Sequence, residues 1–168
     1  MKSTDLLLDA FGRIREEVAD TVEGLREEQL TFSAGSGANT IAWLVWHLTR
    51  VQDNHVAEVA GEQEVWLADG WVKRFGLSLE PADTGYGHSA EQVAAVRAPA
   101  ELLAGYHEAV AGRTHRYVGS LDDAALDRVV DERWDPPVTL GARLVSVIGD
   151  DMAHLGQAQF VRGLLQRV

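Results

Sequence analysis

The chain has 168 residues, 46% of them hydrophobic, which fits one globular domain with a sizeable core and excludes a disordered chain. Its formal net charge of −11 argues against nucleic acid and anionic membranes as partners, because both require a basic surface. It contains no cysteine, so it has neither disulfides nor a cysteine nucleophile, and any thiol in its chemistry must arrive with a substrate.

The sequence contains no segment that predicts membrane insertion or export. No uninterrupted apolar run approaches the ~18 residues that span a bilayer. The N-terminus, MKSTDLLLDAFGRIREEV, becomes charged within a few residues and lacks the apolar core and cleavage site of a signal peptide. We therefore expect a cytoplasmic protein without a transmembrane helix.

Two long helices are predicted in the N-terminal part of the chain. The first runs from about Thr4 to Leu25, with an N-cap supplied by the ST pair and apolar residues at helical spacing. A loop, SAGSGA, follows it. The second helix begins at Asn39 or Thr40, either of which can cap it, and ends near Gly61. Its first half is apolar on every side, which is typical of a helix at the centre of a bundle.

The rest of the chain is predicted to form a long crossover and two further helices. Residues 62–98 have an irregular pattern with two short helical pieces, the second capped by Ser89. The third long helix covers about Ala98–Gly119 and the fourth about Leu140–Gln166, with a WDPP loop between them. No strand pattern or internal repeat is recognisable. We predict an all-α protein, a four-helix bundle with a long crossover between helices 2 and 3, in which residues 1–168 form one domain.

An acid and a histidine one helical turn apart are the strongest chemical signal in the chain. Asp150 and His154, at i and i+4 of the fourth helix, share a face and can reach one point. His47 interrupts the apolar run NTIAWLVWHLTRV of the second helix. Together they would form a three-ligand site for a divalent metal ion; zinc is the default, and nickel, iron and manganese are alternatives. The open position would polarise a carbonyl or lower the pKa of a bound thiol or water.

The residue pattern by itself leaves alternatives open. His55 lies closer than His47 to the centre of the apolar stripe, so it could be the ligand or a partner behind it. Asp151 falls within the buried face and competes with Asp150, and burying either carboxylate is costly unless it is paired or bound to a metal. The candidate ligands, including His154, could also form only a buried polar network.

The segments NTIAWLVWHLTRVQDNHVAEVAG and DDMAHLGQAQFVRGLL resemble the DinB-like superfamily, which includes the mycothiol-dependent maleylpyruvate isomerase. The resemblance implies a four-helix bundle that holds a divalent metal through three side chains. It places His47 at the ligand position of the second helix, and Asp150 and His154 at those of the fourth. Family members have histidine or glutamate where this chain has Asp150, which is one methylene shorter than glutamate. Gln157 matches the glutamine that follows the last ligand, and we expect it behind the metal site or facing the substrate.

The same resemblance implies transfer or isomerisation with a low-molecular-weight thiol, by analogy mycothiol, whose thiolate binds the metal. The partners would be that thiol and a small electrophilic substrate, in detoxification or small-molecule metabolism. The isomerase has an additional C-terminal domain that this sequence lacks, so maleylpyruvate is not the expected substrate. With two lysines against thirteen arginines, the composition is compatible with the GC-rich genomes of mycothiol-producing bacteria. The alternative is a helical bundle that binds a metal or ligand without catalysis.

Further residues are candidates for contact with a substrate. Tyr86 and His88 lie in the loop DTGYGHS, which could cover the metal, although a surface turn is the simpler interpretation. Arg162 falls on the buried face of the fourth helix and could bind a substrate carboxylate or pair at the helix end. His107 and His115 are expected on the solvent side. An apolar surface helix could pair two copies as a homodimer.

Overall fold

The computed structural model describes residues 1–165, and the predicted end of the fourth helix at Gln166 lies outside the described residues. Within that range the long helices are α1 (Ser3–Val22), α3 (Ile41–Ala60), α7 (Ala100–Gly119) and α8 (Leu140–Leu165). The short helices are α2 (Glu27–Leu30), α4 (Val65–Ala68), α5 (Trp71–Phe75) and α6 (Ala90–Ala95). The last connection contains a 3₁₀ turn (Ala124–Asp127) and the strands β1 (Val129–Asp131) and β2 (Val138–Thr139).

The four long helices pack in a ring in which each contacts two neighbours, in the order α1, α7, α3, α8. His107 of α7 bonds to Thr49 of α3, and further along both helices Tyr117 bonds to the carbonyl of Val59, so α3 and α7 run parallel. Parallel neighbours cannot be joined by a short turn, which explains the long crossover between them. The structure thus confirms the predicted all-α bundle with its crossover between the second and third long helices.

The first half of helix α3 is surrounded by the rest of the protein, and its sequence shows why. The hydroxyl of Thr40 accepts a hydrogen bond from the Trp43 amide at 3.2 Å and caps its start, while Gly61 ends it with a left-handed φ of 68°. Every residue over 41–50 is buried, because α7, α8 and the crossover all pack on this helix. Even so, no helix in the described part of the chain has both the length and the apolar character required to cross a membrane.

The helix α1 ends at Val22, before the predicted Leu25. Gly24 has a left-handed φ of +71°, a conformation that stops the helix. The carbonyl groups exposed at this end accept hydrogen bonds from the guanidinium of Arg162 in α8, which lies 2.6 Å from the carbonyl oxygen of Thr21. An arginine from a neighbouring helix therefore satisfies acceptors that have no partner within α1.

The last connection contains a small sheet, where the sequence predicted no strand. The strands β1 and β2 pair antiparallel, with Val129 opposite Thr139 and Asp131 opposite Val138. Strands of two and three residues are too short for an alternating pattern to be visible in the sequence. The sheet leads directly into α8 and fixes the position of Asp131 beside it.

One histidine lies in a different environment from the one predicted. His107, expected on the solvent side, is only 2% exposed, and its Nδ1 atom lies 3.0 Å from the hydroxyl oxygen of Thr49. Burial lowers the pKa of His107 to about 4, so it is neutral in the folded protein. His107 lies four residues after Leu103 and three before Val110, which places it on the buried face of α7, whereas His115 is exposed as expected.

A buried polar cluster ties the crossover to α3. The carboxylate of Asp53 accepts hydrogen bonds from the backbone amides of Val65 and Trp66, both at 2.8 Å, at the start of α4. The fully buried guanidinium of Arg50 donates to the carbonyl oxygen of Asp83 at 3.1 Å, much later in the crossover. Charged groups at this depth are retained only when they are paired, so the cluster anchors the crossover at two points.

Candidate metal centre

Three side chains that can hold a metal ion come together where α3 packs against α8. His47 of α3 and Asp150 and His154 of α8 each offer one ligand atom, and these atoms lie within 4.8 Å of one another. The ring centroids of the two histidines are 4.8 Å apart, and His154 Nε2 is 3.6 Å from Asp150 Oδ1. We refer to these three residues as the triad.

Hydrogen bonds on one nitrogen of each histidine select the nitrogen that remains free. Nδ1 of His47 donates to the backbone carbonyl of Thr84 in the crossover. Nδ1 of His154 donates to Oε1 of Gln157, at 3.3 Å, one turn further along α8. The proton of each neutral ring is therefore on Nδ1, and both Nε2 lone pairs remain for a metal ion. This is the usual arrangement of metal-binding histidines.

The carboxylate of Asp150 suits the third ligand position. Its Oδ2 atom is buried and has no hydrogen-bond partner among residues 1–165. A buried carboxylate oxygen without a partner is costly, and a bound cation would compensate for it. Two imidazole nitrogens and one carboxylate oxygen are a donor set that suits zinc and leaves a coordination position open. The residues present therefore fit a divalent metal ion.

The protonation states of the triad also favour a cation. Burial lowers the pKa of His47, and the hydrogen bond to the Thr84 carbonyl opposes this only in part. Burial raises the pKa of Asp150, but the imidazole of His154, 3.6 Å away, with smaller effects of His47 and His55, brings it below its ordinary value. The proximity of the Asp150 carboxylate in turn raises the pKa of His154. Near neutral pH His47 is neutral and Asp150 is ionised, which are the forms that bind metals.

The neighbouring acid, Asp151, occupies a different environment. It is fully buried, and neither of its carboxylate oxygens has a partner in the described part of the chain. Burial, reinforced by the charge of Asp150, raises the pKa of Asp151 well above its ordinary value. Asp151 is therefore a neutral acid in the folded protein. Of the two acids, Asp150 is the one that the structure brings to the histidines.

The crossover loop packs against His47 from the side opposite its free nitrogen. The indole N–H of Trp43 donates to Nδ1 of His88 at 3.1 Å, and Nε2 of His88 donates to both carboxylate oxygens of Asp83, at 3.0 Å each. The Trp43 ring stacks on the His47 ring with centroids 4.5 Å apart. Gly85 has a φ of +93°, and a Cβ atom there would lie only 2.8 Å from Nδ1 of His47. The loop therefore holds the His47 ring by close contact as well as by a hydrogen bond.

Two predicted substrate contacts make no hydrogen bond to the triad within the described residues. Tyr86 is 92% exposed at the tip of the crossover loop, and the guanidinium of Arg162 is occupied by the carbonyl groups at the end of α1. His88 and Gln157, in contrast, both hold parts of the site in place. Sequence reasoning missed the Thr84 carbonyl, because any residue type can offer a backbone oxygen and no sequence signal marks it.

His55, the alternative ligand, lies in a cleft beside the triad. The cleft has a volume of about 710 Å³, and Asp150 forms part of its wall. Nδ1 of His55 accepts a hydrogen bond from Nη1 of Arg143 at 3.0 Å. Arg143 also donates to Glu58 at 2.9 Å and to Asp131 at 3.2 Å. The structure thus brings His55 into an arginine-centred cluster, and only Asp150 is common to the cleft wall and the triad.

Comparisons with known proteins agree with this architecture. The Mycothiol-S-transferase family model matches residues 6–167 of the chain. The chain is also similar to a protein of known crystal structure, described as the conserved protein of a locus from Enterococcus faecalis. The two sequences are 30% identical, the match covers 100% of this chain and 99% of that one, and the TM-score is 0.92. No curated protein shows significant sequence similarity to the chain. Since the family model spans nearly the whole chain and the predicted DinB-like fold is confirmed, the protein belongs to the mycothiol S-transferase family.

Proposed function

We propose that this protein is a metal-dependent S-transferase that joins a low-molecular-weight thiol, mycothiol in the first instance, to a small electrophilic substrate. His47, Asp150 and His154 would hold one divalent ion, with zinc as the default and nickel, iron or manganese as alternatives. The observation that carries the proposal is the convergence of their ligand atoms within 4.8 Å in a member of this family. Such an enzyme would serve detoxification or small-molecule metabolism.

The ion, when bound, would supply Lewis-acid chemistry that favours the thiolate form of a thiol at neutral pH. The protein itself has no cysteine, so the sulfur must come from the co-substrate. Its own residues bind and orient. Thr84 and Gln157 hold the two imidazole rings, and the cleft whose wall includes Asp150 would admit a small molecule beside the triad. No protein nucleophile is required in this scheme.

The first test is the metal content of protein expressed without a histidine tag. We expect about one zinc or other divalent ion per chain after reconstitution and dialysis against a weak chelator. His154→Ala should lose the ion, whereas His115→Ala, which removes an exposed histidine from α7, should keep it. If neither the parent nor the control binds metal in stoichiometric amount, the triad is only a buried polar network.

The second test is a screen of thiols against electrophiles with the metal-loaded protein. Mycothiol should support turnover that disappears both without the thiol and after His154→Ala. Stoichiometric metal without turnover for any pair would instead favour a bundle that binds a metal or ligand without catalysis.

A homodimer and a cytoplasmic location stay predictions. The solvent-facing side of α8 carries three exposed apolar side chains, Val145 (60%), Met152 (47%) and Phe160 (67%), which supports pairing of two copies through this helix. Light scattering coupled to gel filtration would measure the mass in solution. A monomer at high protein concentration would contradict the dimer.

A further inference from the structure

The cluster around His55 fixes the position of one proton in the cleft. A guanidinium group has only donors, so in the contact between Arg143 and His55 the imidazole Nδ1 must be the acceptor. The single proton of a neutral imidazole is then on Nε2. The His55 side chain is 37% exposed and lines the cleft, so this N–H group is available to a molecule that enters beside Asp150.

Arg143 is held in a fixed position, so it can keep the proton of His55 on Nε2. It is 9% exposed, and it donates to Glu58 at 2.9 Å and to Asp131 at 3.2 Å. Asp131 belongs to β1 and also accepts from Arg133 at 2.8 Å. The small sheet and the first turn of α8 therefore position the guanidinium, and through it the His55 ring.

The charges that face His55 keep its ring neutral. Burial lowers its pKa, and the positive charge of Arg143 lowers it further, whereas Glu58 and Asp150 act in the opposite direction with a smaller effect. A protonated ring would also direct an Nδ1–H group at the guanidinium, which has no acceptor to offer. His55 is therefore a neutral donor with a fixed direction, and it is a poor general base.

We propose that His55 is the hydrogen-bond donor to the electrophilic substrate, whose acceptor is an oxygen atom on which negative charge develops as the thiol sulfur attacks a neighbouring carbon. This inference rests on the proposed transferase function and narrows it. The preferred substrates are electrophiles that place the displaced electron pair on oxygen, such as α,β-unsaturated ketones and oxiranes. A neutral imidazole acts as such an electrophilic donor in other enzymes.

The step needs no oxidant or further reactant. The thiol releases its proton to solvent, the sulfur forms a bond to the β-carbon of the enone, and the π electron pair moves to the carbonyl oxygen to give an enolate. The Nε2–H group of His55 donates a hydrogen bond to that oxygen and keeps its proton. Solvent then protonates the enolate, so thiol and enone have added with no change in net redox state.

The kinetic test compares two electrophile classes in metal-loaded parent and variant proteins. For an α,β-unsaturated ketone, His55→Phe should lower kcat/KM by about 10²- to 10³-fold, the usual effect of removing one donor to an oxyanion. For a benzyl halide, whose electron pair leaves on the halide, the same variant should stay within about threefold of the parent. His55→Gln, which retains an N–H donor, should recover part of the loss. An equal loss of kcat/KM for both electrophile classes, or no loss for the ketone, would refute the assignment of His55 as the donor.

A second measurement does not depend on turnover. In a two-bond ¹H–¹⁵N correlation spectrum, His55 should show a protonated Nε2 and an unprotonated Nδ1, and Arg143→Met should release this preference. Acetate, an oxyanion that resembles the enolate oxygen, should shift the Nε2 proton resonance. A proton on Nδ1, or a resonance that acetate leaves unmoved, refutes the role of His55 whether or not any thiol reacts. If His55 shows the expected tautomer and acetate shift but the parent protein has no turnover, the transferase proposal is refuted and the donor assignment of His55 stands.

Metal content separates this role from that of a ligand. Both His55 variants should bind one metal ion per chain as the parent does, because the triad supplies the three ligand atoms. Loss of the ion in His55→Phe would mean that His55 is a ligand, and it would refute the donor assignment.

Discussion

Replacement of Gly85 by alanine tests whether the crossover loop orients His47 for its proposed role as a metal ligand. A Cβ atom at this position would lie 2.8 Å from Nδ1 of His47 and 2.9 Å from Cζ3 of Trp46, both closer than van der Waals contact. Neither ring can move away easily, because Trp46 is 1% and His47 6% exposed. The loop must therefore retreat and weaken the hydrogen bond from His47 to the Thr84 carbonyl.

The expected magnitude follows from two separable costs. A non-glycine residue with a left-handed φ costs about 1–2 kcal/mol, and forcing one extra carbon into a packed site costs about 1–3 kcal/mol more. Gly87→Ala is the matched control, since Gly87 lies in the same loop with a φ of +74°, but a Cβ atom there would have no neighbour within 4 Å. The difference between the two variants isolates the contacts with His47 and the neighbouring Trp46 and Trp43 rings.

The assay is zinc affinity by competition with a chelator of known affinity, with thermal unfolding of the metal-free proteins measured in parallel. Gly85→Ala should weaken zinc binding about 10- to 100-fold relative to Gly87→Ala, the usual effect of losing a group that orients a metal ligand. Equal zinc affinities in the two variants, with the extra destabilisation of Gly85→Ala still present, would show that the loop packs on His47 without orienting it.

Two further predictions concern residues outside the triad. Asp151 has a raised pKa in the folded protein, so folding takes up a proton above pH 3.8, and the free energy of unfolding should fall as the pH rises toward the folded pKa, by up to about 1.4 kcal/mol per pH unit. Asp151→Asn should abolish that slope in metal-free protein, measured by urea unfolding at pH 5 and pH 8; an unchanged slope would mean that Asp151 is ionised in the core. Arg162→Met should cost about 1–3 kcal/mol of stability by leaving the carbonyls at the end of α1 without a donor, while zinc affinity and KM stay at parent values. A raised KM at unchanged stability would instead support the predicted binding of a substrate carboxylate by Arg162.

The long helices could be predicted because their information is local. Apolar residues at helical spacing mark α1, α7 and α8, and Thr40 and Gly61 mark the ends of α3 within a residue. The left-handed conformation of Gly24 was harder to foresee, since a glycine inside an apolar pattern is often tolerated in a helix. The two strands were missed because their pairing, rather than their composition, defines them.

In the candidate site, too, the features set by local spacing could be predicted and those set by tertiary packing could not. Asp150 and His154 share a helix turn, so their proximity can be read from spacing, whereas the choice between His47 and His55 depends on how α3 rotates against α8. That rotation is set by packing along the whole helix. The link from His55 to Arg143 and then to Asp131 depends on the sheet in the last connection, which leaves no pattern in the sequence.

The convergence of α3 and α8 residues in the triad has a consequence for biosynthesis. The triad joins positions about 100 residues apart in the chain, so an emerging polypeptide cannot offer all three ligands until its last helix has left the ribosome. An ion captured before then would meet His47 alone and bind weakly. Tight binding of the proposed ion would therefore require completed folding, and the ion would close a loop that contains the crossover and α7. Closing so long a loop removes much of the conformational freedom of the unfolded chain, so the loaded protein should resist unfolding more than its core alone would allow.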